Sequence, residues 1–286
     1  MNESATIFGL KKSNWFQLFK YLVYLLISIN VVQFFREDYL ASAYTFRQGI
    51  SWEQFANAYA TTIDSAAWLI LLLMFEMETY VIPDDKLVGK TRWSLNLIGA
   101  LCFFFIIQAF LGYHEKYTTI DAYAVSAFVT ACSAVDTVQS YVVEFDEYMD
   151  LTATNCAAIV GTEWYTHTDN SILASGEMLA RMKSMALTDV INAGTWIIIV
   201  IVLQIDVLLQ IRGNLTEKLY RINIYIKAAL YLVLFGAAVY WGYLSALLDF
   251  WDAMLWIIAF FFIELNLFQW NEETRADAST KEGKTA

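Results

Sequence analysis

WSLNLIGALCFFFIIQAFLGY, residues Trp93–Tyr113, is a run of twenty-one residues without a single Asp, Glu, Lys or Arg. A helix rises about 1.5 Å per residue and the hydrocarbon core of a bilayer is about 30 Å thick, so a run of this length reads as a membrane-spanning helix. Lipid offers no water to backbone N–H and C=O groups, and only helices or closed barrels satisfy all of them. Barrel strands alternate apolar and polar residues, and this run does not alternate. Five more runs read the same way: Phe16–Phe35, Ile63–Ile82, Val190–Ile211, Ile224–Ser245 and Phe250–Trp270. The expected fold class is an all-α polytopic membrane protein with six transmembrane helices.

Composition agrees. Of 286 residues, 58% are hydrophobic and 16% charged, against about 25% charged in a soluble domain. A disordered chain, a collagen and a disulfide scaffold are excluded. The net charge of −11 argues against nucleic acid as a partner.

The basic residues set the orientation. Segments 1–20, 83–92, 211–227 and 271–286 hold 13 of the 18 Lys and Arg residues; Arg36, Arg47, Lys116, Arg181 and Lys183 lie on the other side. Both termini are expected in the cytoplasm and the chain in the cell membrane. Residues 1–113 then hold an N-terminal segment and three spans, 114–189 an external insertion, 190–270 spans four to six, and 271–286 a polar cytoplasmic tail. Ala41-Ser42-Ala43 after the first apolar run resembles a signal-peptide cleavage site, but Arg36-Glu37-Asp38 intervenes, and a retained anchor is the preferred reading.

The insertion is acidic and is expected to be a helical cap. Val125, Phe128, Cys132, Val135, Val142, Phe145 and Met149 fall on one helical stripe, predicting a helix near Asp121–Met149, with a second near Ile172–Leu187. A seventh span at Ala122–Val143 is disfavoured by Asp136 and by the basic loop it would place outside. Cys132 and Cys156 can bridge in an oxidising compartment. Ser51-Trp-Glu-Gln54 matches a capping box.

Three spans share a pattern, [DN]-x3-W-x7-[EQ]-x-[EDN]. It reads Asp64, Trp68, Glu76, Glu78 in the second; Asn192, Trp196, Gln204, Asp206 in the fourth; and Asp252, Trp256, Glu264, Asn266 in the sixth. The chain thus reads as three tandem helical hairpins with pseudo-threefold symmetry. At 100° per residue the first, second and fourth columns share a face. If that face looks inward, it forms an outer polar ring (Asp64, Asn192, Asp252), an aromatic ring (Trp68, Trp196, Trp256) and an inner ring (Glu78, Asp206, Asn266), with Glu76 and Glu264 on the flank.

Carboxylates inside spans are costly and face a bundle interior, a partner or water. Acidic rings select cations, so these residues are candidates for a cation or proton pathway. The competing reading makes Asp64, Asn192 and Asp252 helix caps. It pairs Glu76, Glu78, Asp206 and Glu264 with Lys20, Arg92, Arg212 or Lys227. Asn30, Gln33 and Gln108 read as helix–helix hydrogen-bonding groups.

His114 and His167 are too few for a haem-binding helix pair, and Glu163 with His167 does not make a zinc site. No phosphate loop, dinucleotide fingerprint or hydrolase elbow occurs. No enzyme, metal or cofactor is expected. The leading expectation is an ion channel or channel-like subunit. Its rival is a non-catalytic integral subunit that docks through its cap. The expected partners are the lipid bilayer, cations, and copies of the chain or other subunits of a membrane complex.

Overall fold

The computed structural model describes residues 6–262 apart from 8–9, 53, 83–85, 87, 168–171 and 212–216. The described residues are mostly helical. Among them, four helices are long and apolar enough to cross a membrane: Trp15–Thr45, Lys90–Ala122, Gly176–Asp206 and Arg221–Tyr243. Their outward side chains are apolar; Leu22, Leu25, Val32, Leu101, Phe104 and Leu232 are all exposed. So large an apolar surface suits lipid rather than water. The second expected span appears as a helix of 17 residues, Ala60–Glu76, followed by a π-helical turn, Met77–Val81. The sixth is described over 247–262.

The chain divides into two compact units, one of Met1–Asn30 with Ala228–Ala286, the other of Val31–Lys227. In the terminal unit a short hairpin, β1 (Thr6–Ile7) and β2 (Leu10–Lys11), precedes α1 (Lys12–Thr45). The unit also holds most of α6 (Glu217–Tyr243) and α7 (247–262). Ile27, Leu234, Ala238 and Ala259 are fully buried. The small residues allow close helix approach. Phe16 and Phe19 set their rings edge-on to Phe262 at 5.2 and 5.8 Å.

In the central unit, α1 continues to Thr45 and is followed by α2 (Phe55–Ala58), α3 (Ala60–Glu76) and α4 (Lys90–Thr119). The reciprocal bonds of the Ser51–Gln54 capping box are present, at 3.2 and 3.3 Å. Gly112 lets α4 lie against α2 and α3. A Cβ at this position would fall 2.6 Å from the Ala56 carbonyl oxygen, closer than any side chain can sit.

The insertion is not helical, and the fold is therefore not all-α. It is a five-stranded sheet of order β3-β6-β7-β4-β5, with β3 (Tyr123–Val125), β4 (Ser140–Glu144), β5 (Glu147–Asp150), β6 (Trp164–His167) and β7 (Ile172–Ser175). Strands β4 and β7 pair in parallel and all other neighbours antiparallel. The expected helix at Asp121–Met149 is replaced by β3, β4, β5 and short turns. Val125 and Met149, placed on its buried stripe, are exposed. Period two explains the difference: Ile172 and Ala174 face one core cluster and Leu173 the other. Distant partners pair with the β-branched and aromatic runs Tyr141-Val142-Val143 and Trp164-Tyr165-Thr166, and that pairing overrides a chance helical spacing. The second expected helix begins only at Gly176, after β7, and opens α5 (Gly176–Ile211).

One face of the sheet is covered by Ala131, Ala134, Val138, Leu151 and Cys156, and a disulfide joins Cys132 to Cys156. The other face packs Val142, Ile172 and Ala174 on Ile120, just past α4, and on Met182 and Ala186 of α5. Ion pairs add to this seam, Arg181 to Glu144 at 3.4 Å and Lys183 to Asp121.

Candidate functional site

Two members of the repeat's first column, Asp64 and Asp252, are engaged within their own helices. Trp68 donates its indole N–H to Asp64 Oδ1 at 3.0 Å, one turn back along α3. Asp252 makes the same i, i+4 contact with Trp256, and it also accepts Asn30 Nδ2 at 2.8 Å. The D-x3-W spacing thus has a local cause, an indole that satisfies a carboxylate on its own helix. Asn192 Oδ1 is buried without a hydrogen-bond partner among the described residues. The Trp68 and Trp196 rings lie 6.3 Å apart, so α3 and α5 do bring their second columns together. Trp256 belongs to the other unit and packs on Phe260.

The inner residues differ among themselves. Asp206 lies 3.5 Å from Lys227 Nζ and accepts a hydrogen bond from Asn223. Glu76 is buried at the end of α3, while Glu78 is exposed in the π-helical turn. Glu264 and Asn266 lie outside the described residues. Of the expected hydrogen-bonding groups, Asn30 is used as described above.

A different feature stands out in the central unit. A cavity of about 330 Å³ opens where the C-terminal ends of α1 and α4 meet the sheet. Its floor is Asp38, which is 6% exposed. Both the backbone N–H and the hydroxyl of Thr62 donate to Asp38 Oδ2, at 3.0 and 2.6 Å. Thr62 sits in the first turn of α3, where backbone N–H groups have no partner inside the helix; α1 therefore caps α3. Asp38 Oδ1 carries no hydrogen bond among the described residues.

Opposite, Lys116 of α4 pairs with Asp146. Its ammonium lies 4.8 Å from the centre of the Phe145 ring and within electrostatic range of Asp38 and Asp189. Phe145 and Asp146 form the two-residue tip of the β4–β5 hairpin, closed by the pair Glu144 and Glu147. Asp146 has φ +66°, the left-handed region, which Asp tolerates better than most side chains. The hairpin thus presents a ring and a carboxylate to the same ammonium.

Tyr148, Tyr123 and His167 complete the wall. Tyr148 stacks on Tyr44 at 5.9 Å, and Tyr123 meets the His167 ring edge-on at 5.0 Å. Burial pushes both phenols up, with the charge of Asp146 adding at Tyr148, so both stay protonated at neutral pH. Arg47, just past α1, ties to the sheet domain outside the cavity lining, donating to Gln139 Oε1 at 2.8 Å and lying 3.8 Å from Asp150.

None of these residues belongs to the repeat. One signal was available: Lys116 is one of only five basic residues on the base-poor side. Their convergence depends on the sheet, which the helical reading missed. Among the described residues, no group of three His, Cys, Asp or Glu side chains is arranged to hold a metal ion. No family model, curated protein or solved structure matches the chain.

Proposed function

We propose that this chain is an integral membrane protein whose sheet domain and helix ends form a small-molecule binding site, so that it serves as a non-catalytic binding subunit. The cavity carries this reading. Its volume of about 330 Å³ is at the lower end of small-molecule pockets. Its walls combine aromatic rings with a few oriented charges, and it stands on helix ends braced by a sheet. The sheet domain faces outside and both termini face the cytoplasm. The Lys and Arg distribution supports this, as does the Cys132–Cys156 bridge, since disulfides persist in oxidising compartments. Six crossings and a three-hairpin plan follow if α3 with its π turn and α7 also span the bilayer.

The test is a thermal-shift screen of the detergent-solubilised full chain against small amines, carboxylates and polyols, beside Ala41→Phe, which fills the cavity from α1. At least one class should stabilise the wild type and not the variant. A silent panel, or shifts that persist in Ala41→Phe, would refute binding at this site.

A second reading, cation or proton movement, is favoured by the polar groups below the cavity. Tyr113 hydrogen-bonds with Thr61 and feels the charges of Asp64 and Asp189, and Asn192 Oδ1 is buried nearby in sequence on α5. Against it, Asp64, Asp206 and Asp252 each engage a neighbouring side chain, which supports structural pairing. Liposome flux of the wild type beside Glu78→Gln and Asp206→Asn separates the two. Flux lowered in both variants favours conduction; no flux favours binding.

A further inference from the structure

We infer that the cavity recognises a small organic ammonium ion carrying an apolar group, an inference that rests on the binding reading above and names its ligand. Three carboxylates line the cavity, those of Asp38, Glu115 and Asp146. The lining Lys116 ammonium is committed to Asp146. The remaining charge is negative. Asp38 is more than nine-tenths buried, yet one of its oxygens accepts two hydrogen bonds from Thr62 and the other accepts none among the described residues. The exposed Glu115 carboxylate, which also lines the cavity, has no hydrogen-bond or ion-pair partner among the described residues either.

Asp38 Oδ1 keeps contact with the cavity rather than being sealed off, and holding a carboxylate in so enclosed a place is costly. A ligand N–H⁺ would remove that cost. A carboxylate ligand would add to the repulsion, and a neutral ligand would leave Asp38 with only the field of Lys116, which Asp146 shares.

The protein already displays the mode. Lys116 places an ammonium against a carboxylate and over the Phe145 ring, the combination by which aromatic sites hold organic cations. Tyr123 and Tyr148, protonated and in the same wall, offer further ring surface for an apolar substituent. Lys116 is then the cavity's internal competitor, a tethered cation that reduces the field a free one would feel. The ammonium can come from a soluble amine or from the ethanolamine headgroup of a phospholipid at the helix ends.

Isothermal titration of the full chain in phosphatidylglycerol nanodiscs tests this with three probes of similar shape: 2-phenylethylammonium, 3-phenylpropanoate and 2-phenylethanol. The ammonium should bind, and the other two should bind at least about tenfold more weakly. Asp38→Asn keeps an acceptor for Thr62 and should weaken the ammonium by about tenfold or more. Glu115→Gln, on an exposed side chain with no fold-bearing contact, should weaken it about twofold to fivefold. Lys116→Met should tighten it.

In phosphatidylethanolamine nanodiscs, a lowered apparent affinity for the free amine identifies the headgroup as the occupant. An unchanged affinity identifies a soluble amine. Either result upholds ammonium recognition. Equal or tighter binding of the propanoate or the alcohol, lost in Ala41→Phe, overturns the ammonium inference and leaves the binding reading standing. An ammonium affinity unchanged in both Asp38→Asn and Glu115→Gln also overturns it. Failure of every probe, together with a silent thermal-shift panel, removes the binding reading itself.

Discussion

The Lys116–Asp146 pair is where the sheet grips the helix ends, and its strength can be measured by a double-mutant cycle of Lys116→Met and Asp146→Asn. Two unit charges about 4 Å apart attract by about 4 kcal/mol at an effective dielectric of about 20. Both side chains keep some contact with water, 19% and 24% of their surface, and desolvation takes back roughly half of the attraction, leaving a coupling of about 2 kcal/mol. Lys116→Met also removes a positive charge that Asp38 and Asp189 feel; it should cost about 3 kcal/mol. Asp146→Asn should cost about 2 kcal/mol, and the double variant little more than Lys116→Met alone. The readout is reversible unfolding in mixed micelles, followed by fluorescence of the ten tryptophans. Costs that add to within about 0.5 kcal/mol would show that the pair is not coupled, and the placement of the hairpin tip against α4 would be wrong.

Other predictions concern the scaffold. Cys132→Ser opens a loop whose ends are 24 residues apart, and loop-closure entropy puts the loss at about 3.5 kcal/mol; a dithiothreitol-insensitive melting curve for the wild type would contradict the bridge. Gly112→Ala forces a methyl group against the Ala56 carbonyl oxygen and should lower the yield of folded protein sharply in size-exclusion chromatography, whereas Gly236→Ala, with open space around it, should not. Val129→Cys, at a position 84% exposed in the sheet domain, should react with a membrane-impermeant maleimide applied to intact cells; the described free thiol, Cys102, is buried and should give little background. Labelling only after lysis would reverse the orientation.

Much of the helical frame was legible because lipid imposes one rule on every span, and that rule shows as continuous apolar length. The capping box and the Cys132–Cys156 bridge were legible for a similar reason, since each depends on a local or pairwise signature. The sheet was not. Its strands are four or five residues or fewer, its central pairing joins β4 to β7 in parallel, and Val125, Phe128 and Cys132 fall on helical spacing by coincidence. The cavity was hidden for the same reason. Asp38, Lys116 and Asp146 lie on three elements far apart in the chain, and only the β4–β5 hairpin tip brings the last to the other two. The repeat drew attention to Asp64 and Asp252, and the structure gives their spacing to tryptophan a local hydrogen-bonding cause.

The central claim is that a small ligand occupies the space between the hairpin tip and the ends of α1 and α4. Photolabelling of the full chain in nanodiscs with a diazirine-bearing primary arylalkylamine, followed by peptide mass spectrometry, tests it most directly. The claim predicts label on the hairpin peptide containing Phe145 and Tyr148 and on the α1 peptide containing Ala41 and Phe46, displaced by excess 2-phenylethylammonium. Label confined to the lipid-facing side chains of the helices, and not displaced, would contradict it.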